Sequence, residues 1–238
     1  MELGFDVEGR LPAGITKNGG TAMEFILPGG VVLTSFGTAF VPELGFLEQV
    51  GVDDDNRYEP KQYRDDFYLG ITEPAYGAAA PYTTHIEITG PQEYAWNSVG
   101  TLLSDTVAGG RRTAIWQSDH PVNFFNVVGA RWAVRQGQDT VIYYHPDHTY
   151  NIDEIQLMLD ASRRWYSEWY YPFPWKTLKL SEFPNHATYA QGFPTNITFS
   201  EGIGFLTRST KEARLASMVT AHEAAHQRWG NILLPGKG

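Results

Sequence analysis

The chain contains no cysteine. A disulfide framework and a thiolate metal site are both excluded, and any metal has to be held by His, Asp or Glu. Cysteine-free chains occur in every compartment, so localisation stays open. No run of about 18 apolar residues occurs either, so no membrane-spanning helix is expected. Met1-Glu2-Leu3-Gly4 lacks the basic-then-apolar order of a signal peptide and reads as a start placed inside a longer sequence. Positive charge is scarce. The 18 Lys and Arg stand against 27 Asp and Glu, a formal net charge of −9. That balance argues against a nucleic-acid partner, because phosphate binding needs a basic face. Internal repeats and low-complexity tracts are absent.

What is present suits one large domain or two modest ones, since the chain has 238 residues. Hydrophobic residues make up 42% and charged residues 19%, the balance of a soluble globular protein. With 7 Trp and 13 Tyr, a large core can be built. The texture changes near residue 150. Before it, short apolar or alternating runs at 22–27, 31–34, 83–88, 113–117 and 122–128 are separated by Pro28-Gly29-Gly30, Gly90-Pro91 and Ala108-Gly109-Gly110. Short strands spaced this way predict an antiparallel sandwich. The Asp53-Asp54-Asp55-Asn56 stretch lacks the spaced ligands and distal Glu of a hand-type calcium loop and reads as a solvated acidic loop.

From Asn151 the period becomes helical. Asn151 is a suitable cap, and Asp153 and Glu154 suit the positive helix N-terminus. Ile152, Ile155, Leu159, Tyr166 and Trp169 recur at helical spacing until Pro172 and Pro174 stop the helix. Trp165, Trp169 and Trp175 are read as packing against a neighbouring sheet rather than lining a substrate cleft. Residues 178–180 and 197–199 read as strands. Ser209-Thr210-Lys211-Glu212 has capping-box spacing and predicts a second helix over about 210–228, with Leu215, Met218, Val219 and His222 on one face and Gly230 and Pro235 beyond its end.

That second helix carries the chemistry. His222 and His226 are four residues apart, so both imidazoles project from one face. Two nitrogen ligands at this separation can share one zinc ion. Glu223 follows the first His and sits too far round the helix to be a first-choice ligand. It is placed to take a proton from a water that zinc has acidified and to return it to a leaving amine. This pattern of His-Glu-x-x-His is the reason to expect metal-assisted hydrolysis of a peptide bond. Two His flanking a Glu also arise by chance on surface helices. The small neighbours Ala221, Ala224 and Ala225, which allow close packing, weigh for the metal site.

The longer string His222-Glu223-Ala224-Ala225-His226-Gln227-Arg228-Trp229-Gly230-Asn231 resembles the signature of the aminopeptidase N-like gluzincins, a family that includes leukotriene hydrolase. Tyr171-Pro172-Phe173-Pro174 is similar to the Tyr-Pro-aromatic-Pro segment before the first catalytic-domain strand. The segment containing Ser118-Asp119-His120-Pro121-Val122 resembles the end of the family's N-terminal sandwich. Gly192-Phe193-Pro194-Thr195-Asn196 sits where the family carries Gly-Ala-Met-Glu-Asn. The resemblance implies a saddle-like β-sandwich domain over residues 1–135, followed over 136–238 by the N-terminal part of an α+β thermolysin-like metallopeptidase domain. It implies one zinc ion on His222 and His226, Glu223 as general base and acid, and a peptide held by strand addition along Gly192, Thr195 and Asn196.

Two departures narrow that implication. The family's third ligand, a Glu, and its transition-state Tyr lie further beyond the second His than Gly238 does, and upstream carboxylates such as Glu201 and Glu212 are not in the family position. The chain is therefore expected to be a fragment with weak or no activity. Thr195 stands in the register of the family Glu that grips a substrate amino group, and Thr cannot form that ion pair. Arg228 replaces an aromatic residue. These two substitutions motivate an alternative, a non-catalytic peptide-binding or interaction module on the same fold. Gly192-Phe193-Pro194 with Ser200-Glu201-Gly202-Ile203-Gly204 resembles a bacterial subgroup whose peptidase is joined to membrane transport segments, which implies a membrane-attached parent. Elsewhere, His145 and His148 of His145-Pro146-Asp147-His148 read as a polar turn, because no third ligand is evident. His85, His120 and His186 are isolated, and Asn196-Ile197-Thr198 is a chance glycosylation pattern.

Overall fold

The computed structural model describes residues 4–9, 24–35, 41, 81–185, 188–206 and 208–234. The acidic stretch at 53–56, His186 and Pro235 lie outside the described residues. Within them the chain is β-rich. In order, its elements are β1 (Phe25–Leu27), β2 (Gly30–Thr34), β3 (His85–Pro91), β4 (Ala95–Ser98), β5 (Thr101–Ala108), β6 (Arg111–Gln117), β7 (Asn126–Ala130), β8 (Ala133–Gln136) and β9 (Thr140–Tyr144). Then come α1 (Ile152–Trp169), β10 (Leu178–Phe183), β11 (Ala190–Phe193), β12 (Asn196–Ser200), α2 (Glu201–Gly204) and α3 (Leu215–Ala225). No described helix is long and apolar enough to cross a membrane.

Two antiparallel sheets, ordered β1-β2-β7-β4 and β3-β6-β5, pack through one core of Val31, Ile88, Trp96, Ala114, Trp116 and Val127. Trp96 decides the local sequence. A Cβ on Gly90 of β3 would fall 2.0 Å from its ring, and one on Gly129 of β7 would fall 2.3 Å from it. Only glycine lets the indole lie flat between these strands. The third sheet, ordered β11-β12-β10-β9-β8, is mixed. Strands β9, β10 and β12 run parallel, and β8 and β11 are antiparallel edges. The β9-to-β10 crossover is α1, the connection a parallel pair requires. Ile152, Ile155 and Leu159 of α1 bury against Ile142, Leu178, Leu180, Ile197 and Phe199, with Ala216 and Ala224 from α3. Strand β8 spans the expected domain boundary and belongs wholly to the mixed sheet.

Several local expectations fail for identifiable reasons. Asn151 makes no side-chain cap. Its amide donates to the Gly204 carbonyl at 2.6 Å and its Oδ1 accepts the Ser209 N–H at 2.9 Å, so it ties the start of α1 to the loop before α3. That bond engages the residue expected to cap α3. The Ser209–Glu212 capping box does not form, and Thr210 and Ala213 close a turn instead. Helix α3 starts only at Leu215, where Ala216 and Ser217 reach buried positions, and it ends at Ala225. Its expected apolar face is split, with Val219 packed against the core. Leu215 and Met218 are exposed, while Ala216, Ser217, Thr220, Glu223 and Ala224 face inward. Small side chains let the helix approach α1 and the sheet closely. Trp175 is buried, but Trp165 and Trp169 stack on each other at 5.3 Å on the surface.

Candidate functional site

Helix α3 presents His222 and His226 at its C-terminal end, one turn apart. Their Nε2 atoms lie 3.2 Å from each other, and the rings are nearly perpendicular at 84°. Two nitrogens on one tetrahedral zinc at bond lengths of about 2.05 Å would be about 3.3 Å apart. The pair is therefore spaced for a shared metal without a rotamer change. His226 Nδ1 is 2.9 Å from the Trp229 carbonyl. A carbonyl only accepts, so in the neutral ring Nδ1 carries the proton and Nε2 keeps its lone pair toward His222. The chain supplies that carbonyl by leaving the helix after Ala225 and reversing at Gly230, whose φ is +119°. A left-handed φ of this kind favours glycine.

Glu223 lies behind the imidazoles. Its Oε2 is buried with no hydrogen-bond partner among the described residues. Burial pushes its pKa up, opposed by His226, His222 and the Gly192 N–H. The ligand atoms of His222, Glu223 and His226 all lie within 4.8 Å of one another, and among the described residues no further His, Asp or Glu joins them. A carboxylate with a buried, unpartnered oxygen is oriented to meet a group that enters the site.

Gly192 makes this arrangement possible. It sits on β11, an edge strand, and a Cβ there would be 2.6 Å from the Glu223 carbonyl and 2.8 Å from His226 Cβ. The rest of the ten-residue string clamps the helix end to the β11–β12 hairpin. The Asn231 amide donates to the Gly192 carbonyl at 3.1 Å, and the Gln227 amide donates to the Phe193 carbonyl at 2.8 Å. Gln227 Oε1 accepts the Thr195 N–H at 2.8 Å. Arg228 fills an aromatic slot differently. Its guanidinium lies 5.9 and 5.7 Å from the Tyr166 and Phe173 ring centres and donates to Ser167 Oγ and the Tyr171 carbonyl.

Of the three residues expected to hold a peptide, the structure brings only Gly192 to the His pair. Thr195 occupies the two-residue turn of the hairpin at φ +64° and has no exposed surface. Its Oγ1 accepts the Gly100 N–H at 2.7 Å and the Lys179 Nζ at 3.0 Å. Asn196 is equally buried, with Oδ1 accepting from Asn97 and Ser181 and Nδ2 donating to Asn126. Both side chains face the seam with the antiparallel sheets, because the turn directs them inward. Glu201 does not join His222. It converges with His148 and Glu182. Sequence reasoning missed Lys179, a buried amine whose pKa burial lowers from 10.5 to about 7. It also missed the parts played by Gln227 and Asn231. An amide at each position, beside a glycine that breaks the helix, was the available signal.

Helix α3 and the loop after it carry exposed apolar side chains. Leu215, Met218, Trp229, Ile232 and Leu233 are all exposed, and Trp229 packs edge-on to Tyr170 at 4.7 Å. No protein-family model matches the chain, and no curated protein matches it.

Proposed function

We propose that this chain carries the zinc-binding and general-base elements of a gluzincin-type metallopeptidase that hydrolyses peptide bonds. The observation that supports it is the convergence of the His222 and His226 Nε2 atoms beside Glu223, whose buried Oε2 has no partner among the described residues. The donor set fits zinc in kind and in spacing. When bound, zinc supplies Lewis-acid polarisation of a carbonyl and of water. His222 and His226 hold the ion. Glu223 takes a proton from the attacking water and delivers it to the departing amine. Strand β11 lies on a sheet edge beside the site, but Asn231 and Gln227 engage its Gly192 and Phe193 carbonyls, so it is the exposed apolar surface of Leu215, Met218 and Trp229 that suits a peptide's side chains.

The proposal includes a fold. The mixed sheet with α1 and α3 forms the first part of a thermolysin-like domain, behind a saddle-like sandwich. It also includes a third, carboxylate ligand, which the described residues do not bring to this site, and a membrane-associated bacterial parent. Two imidazoles leave a doubly charged ion unbalanced, so the 238-residue chain is expected to turn over peptides weakly or not at all. Thr195 is engaged in the core, so recognition of a substrate amino group would fall to other residues.

Zinc content per chain, compared with His222→Ala, tests the metal site, and a fluorogenic peptide panel on a longer form with the third ligand tests the reaction. Turnover lost in Glu223→Gln supports catalysis. Zinc content near zero, or unchanged by His222→Ala, sinks the metal assignment. The alternative, a peptide-binding module without catalysis, rests on the exposed apolar surface and predicts peptide binding with no turnover.

A further inference from the structure

A second convergence of ligand-type side chains lies away from His222. His148, Glu182 and Glu201 offer donor atoms that are all within 4.8 Å of one another. The topology explains why residues so far apart in sequence meet. His148 follows the end of β9, Glu182 is the penultimate residue of β10, and Glu201 follows the end of β12. These are the three parallel strands of the mixed sheet, and their C-terminal ends share one side. The crevice outside the carboxyl ends of parallel strands is where such sheets bind ligands.

The geometry is built rather than incidental. One oxygen of Glu182 accepts the His145 N–H at 2.7 Å, and the other bonds to His148 Nδ1. Glu201 anchors one oxygen on the Asn185 N–H at 2.8 Å and turns the other toward His148 Nδ1, 3.9 Å away. The His145 ring lies against His148, tilted at 39° with centroids 4.7 Å apart. A cavity of about 160 Å³, lined by Trp132, His145, Glu182, Pro184 and Glu201 among others, lies alongside. Arg131 also lines it but is paired with Glu93 at 3.1 Å.

Charge balance selects the occupant. Two carboxylates face one imidazole, and the Glu182 side chain is only 3% exposed. Even a protonated His148 leaves one negative charge uncompensated in a largely buried group, which is unfavourable. A divalent cation balances both carboxylates. One imidazole nitrogen with carboxylate oxygens is a donor set for zinc and its transition-metal neighbours, whereas calcium and magnesium take oxygen alone.

We propose that His148, Glu182 and Glu201 form a second divalent transition-metal site, separate from His222 and His226, which pins the loop after β9 to the ends of β10 and β12. The test uses zinc and cobalt(II) as probes on the whole chain with His222 and His226 both changed to Ala. One equivalent of zinc should bind, raise the melting temperature and weaken at least about tenfold on adding His148→Ala or Glu201→Gln. Glu201 is partly exposed and Gln keeps the Asn185 contact, so that variant should fold. If the double His variant does not fold, zinc stoichiometry in the native chain should fall by one on Glu201→Gln alone. No zinc uptake, or uptake indifferent to both His148→Ala and Glu201→Gln, overturns the proposal. Loss of the first site leaves this second response intact, so the two assignments fail separately.

Discussion

Replacing Gly192 by Ala tests how tightly the edge strand is fitted to the helix of the His pair. Gly192 is not among the residues with positive φ, so its backbone does not require glycine. By propensity alone, Ala on a strand should stabilise by about 0.4–1 kcal/mol through the unfolded chain. The contact opposes this. The new Cβ would be 2.6 Å from the Glu223 carbonyl and 2.8 Å from His226 Cβ, both on the helix. Ordinary contact is about 3.5 Å or more, so strand and helix must separate by roughly 0.7–0.9 Å. That overpacking costs about 1–3 kcal/mol, and it strains the Gly192 bond to Asn231. The expected net effect is a loss of about 1–2 kcal/mol in urea denaturation, with weakened zinc binding because His226 moves with the helix. Stability equal to or above the unmodified chain, with zinc affinity unchanged, would refute the reasoning.

Three further outcomes follow from the buried polar groups. Lys179 has its pKa lowered to about 7 against 10.5, so the unfolded chain binds more protons between those values. Stability gained from its neutral form is present above about 10.5 and lost as pH falls through about 7, with a ceiling on the order of 5 kcal/mol. Lys179→Met should flatten that alkaline rise in denaturation series at pH 7 and 9. Glu182 runs the other way. Its pKa is raised to about 7 from 4.5, so its contribution is full below 4.5 and lost as pH rises toward 7 in metal-free protein. Glu182→Gln should remove that decline. Arg228→Lys keeps the charge but loses the planar guanidinium between Tyr166 and Phe173. A loss of about 2 kcal/mol is expected in the same assay.

The legible parts of the sequence were those set by local period and motif. Helix α1 came from the spacing of Ile152, Ile155 and Leu159. The runs at 31–34, 113–117, 178–180 and 197–199 came from apolar patches between turn residues, and all lie in strands. The convergence of His222, Glu223 and His226 came from one helical turn. Strands β4, β5, β8, β9 and β11 were not read. β4 and β9 are buried almost throughout, so they lack alternation, and β5 is largely exposed, so it lacks an apolar face. Side-chain direction was the harder quantity. Ser209 and Asn151 have capping chemistry, but they bond to each other across the fold. Thr195 was aligned by register, yet the left-handed turn sends it inward. In the sequence His145 and His148 lack a third ligand, because Glu182 and Glu201 reach His148 only through the parallel strand order.

The most direct measurement is zinc titration of the Glu201→Gln chain, which isolates the His pair, followed calorimetrically and by the cobalt(II) absorption spectrum. One equivalent should bind, with protons released as pH falls toward the imidazole range. Both His222→Ala and His226→Ala should weaken it at least about a hundredfold, and Glu223→Gln should leave it in place. Zinc binding unaffected by either His substitution, or none at all, would contradict the assignment of this helix end as a metal centre.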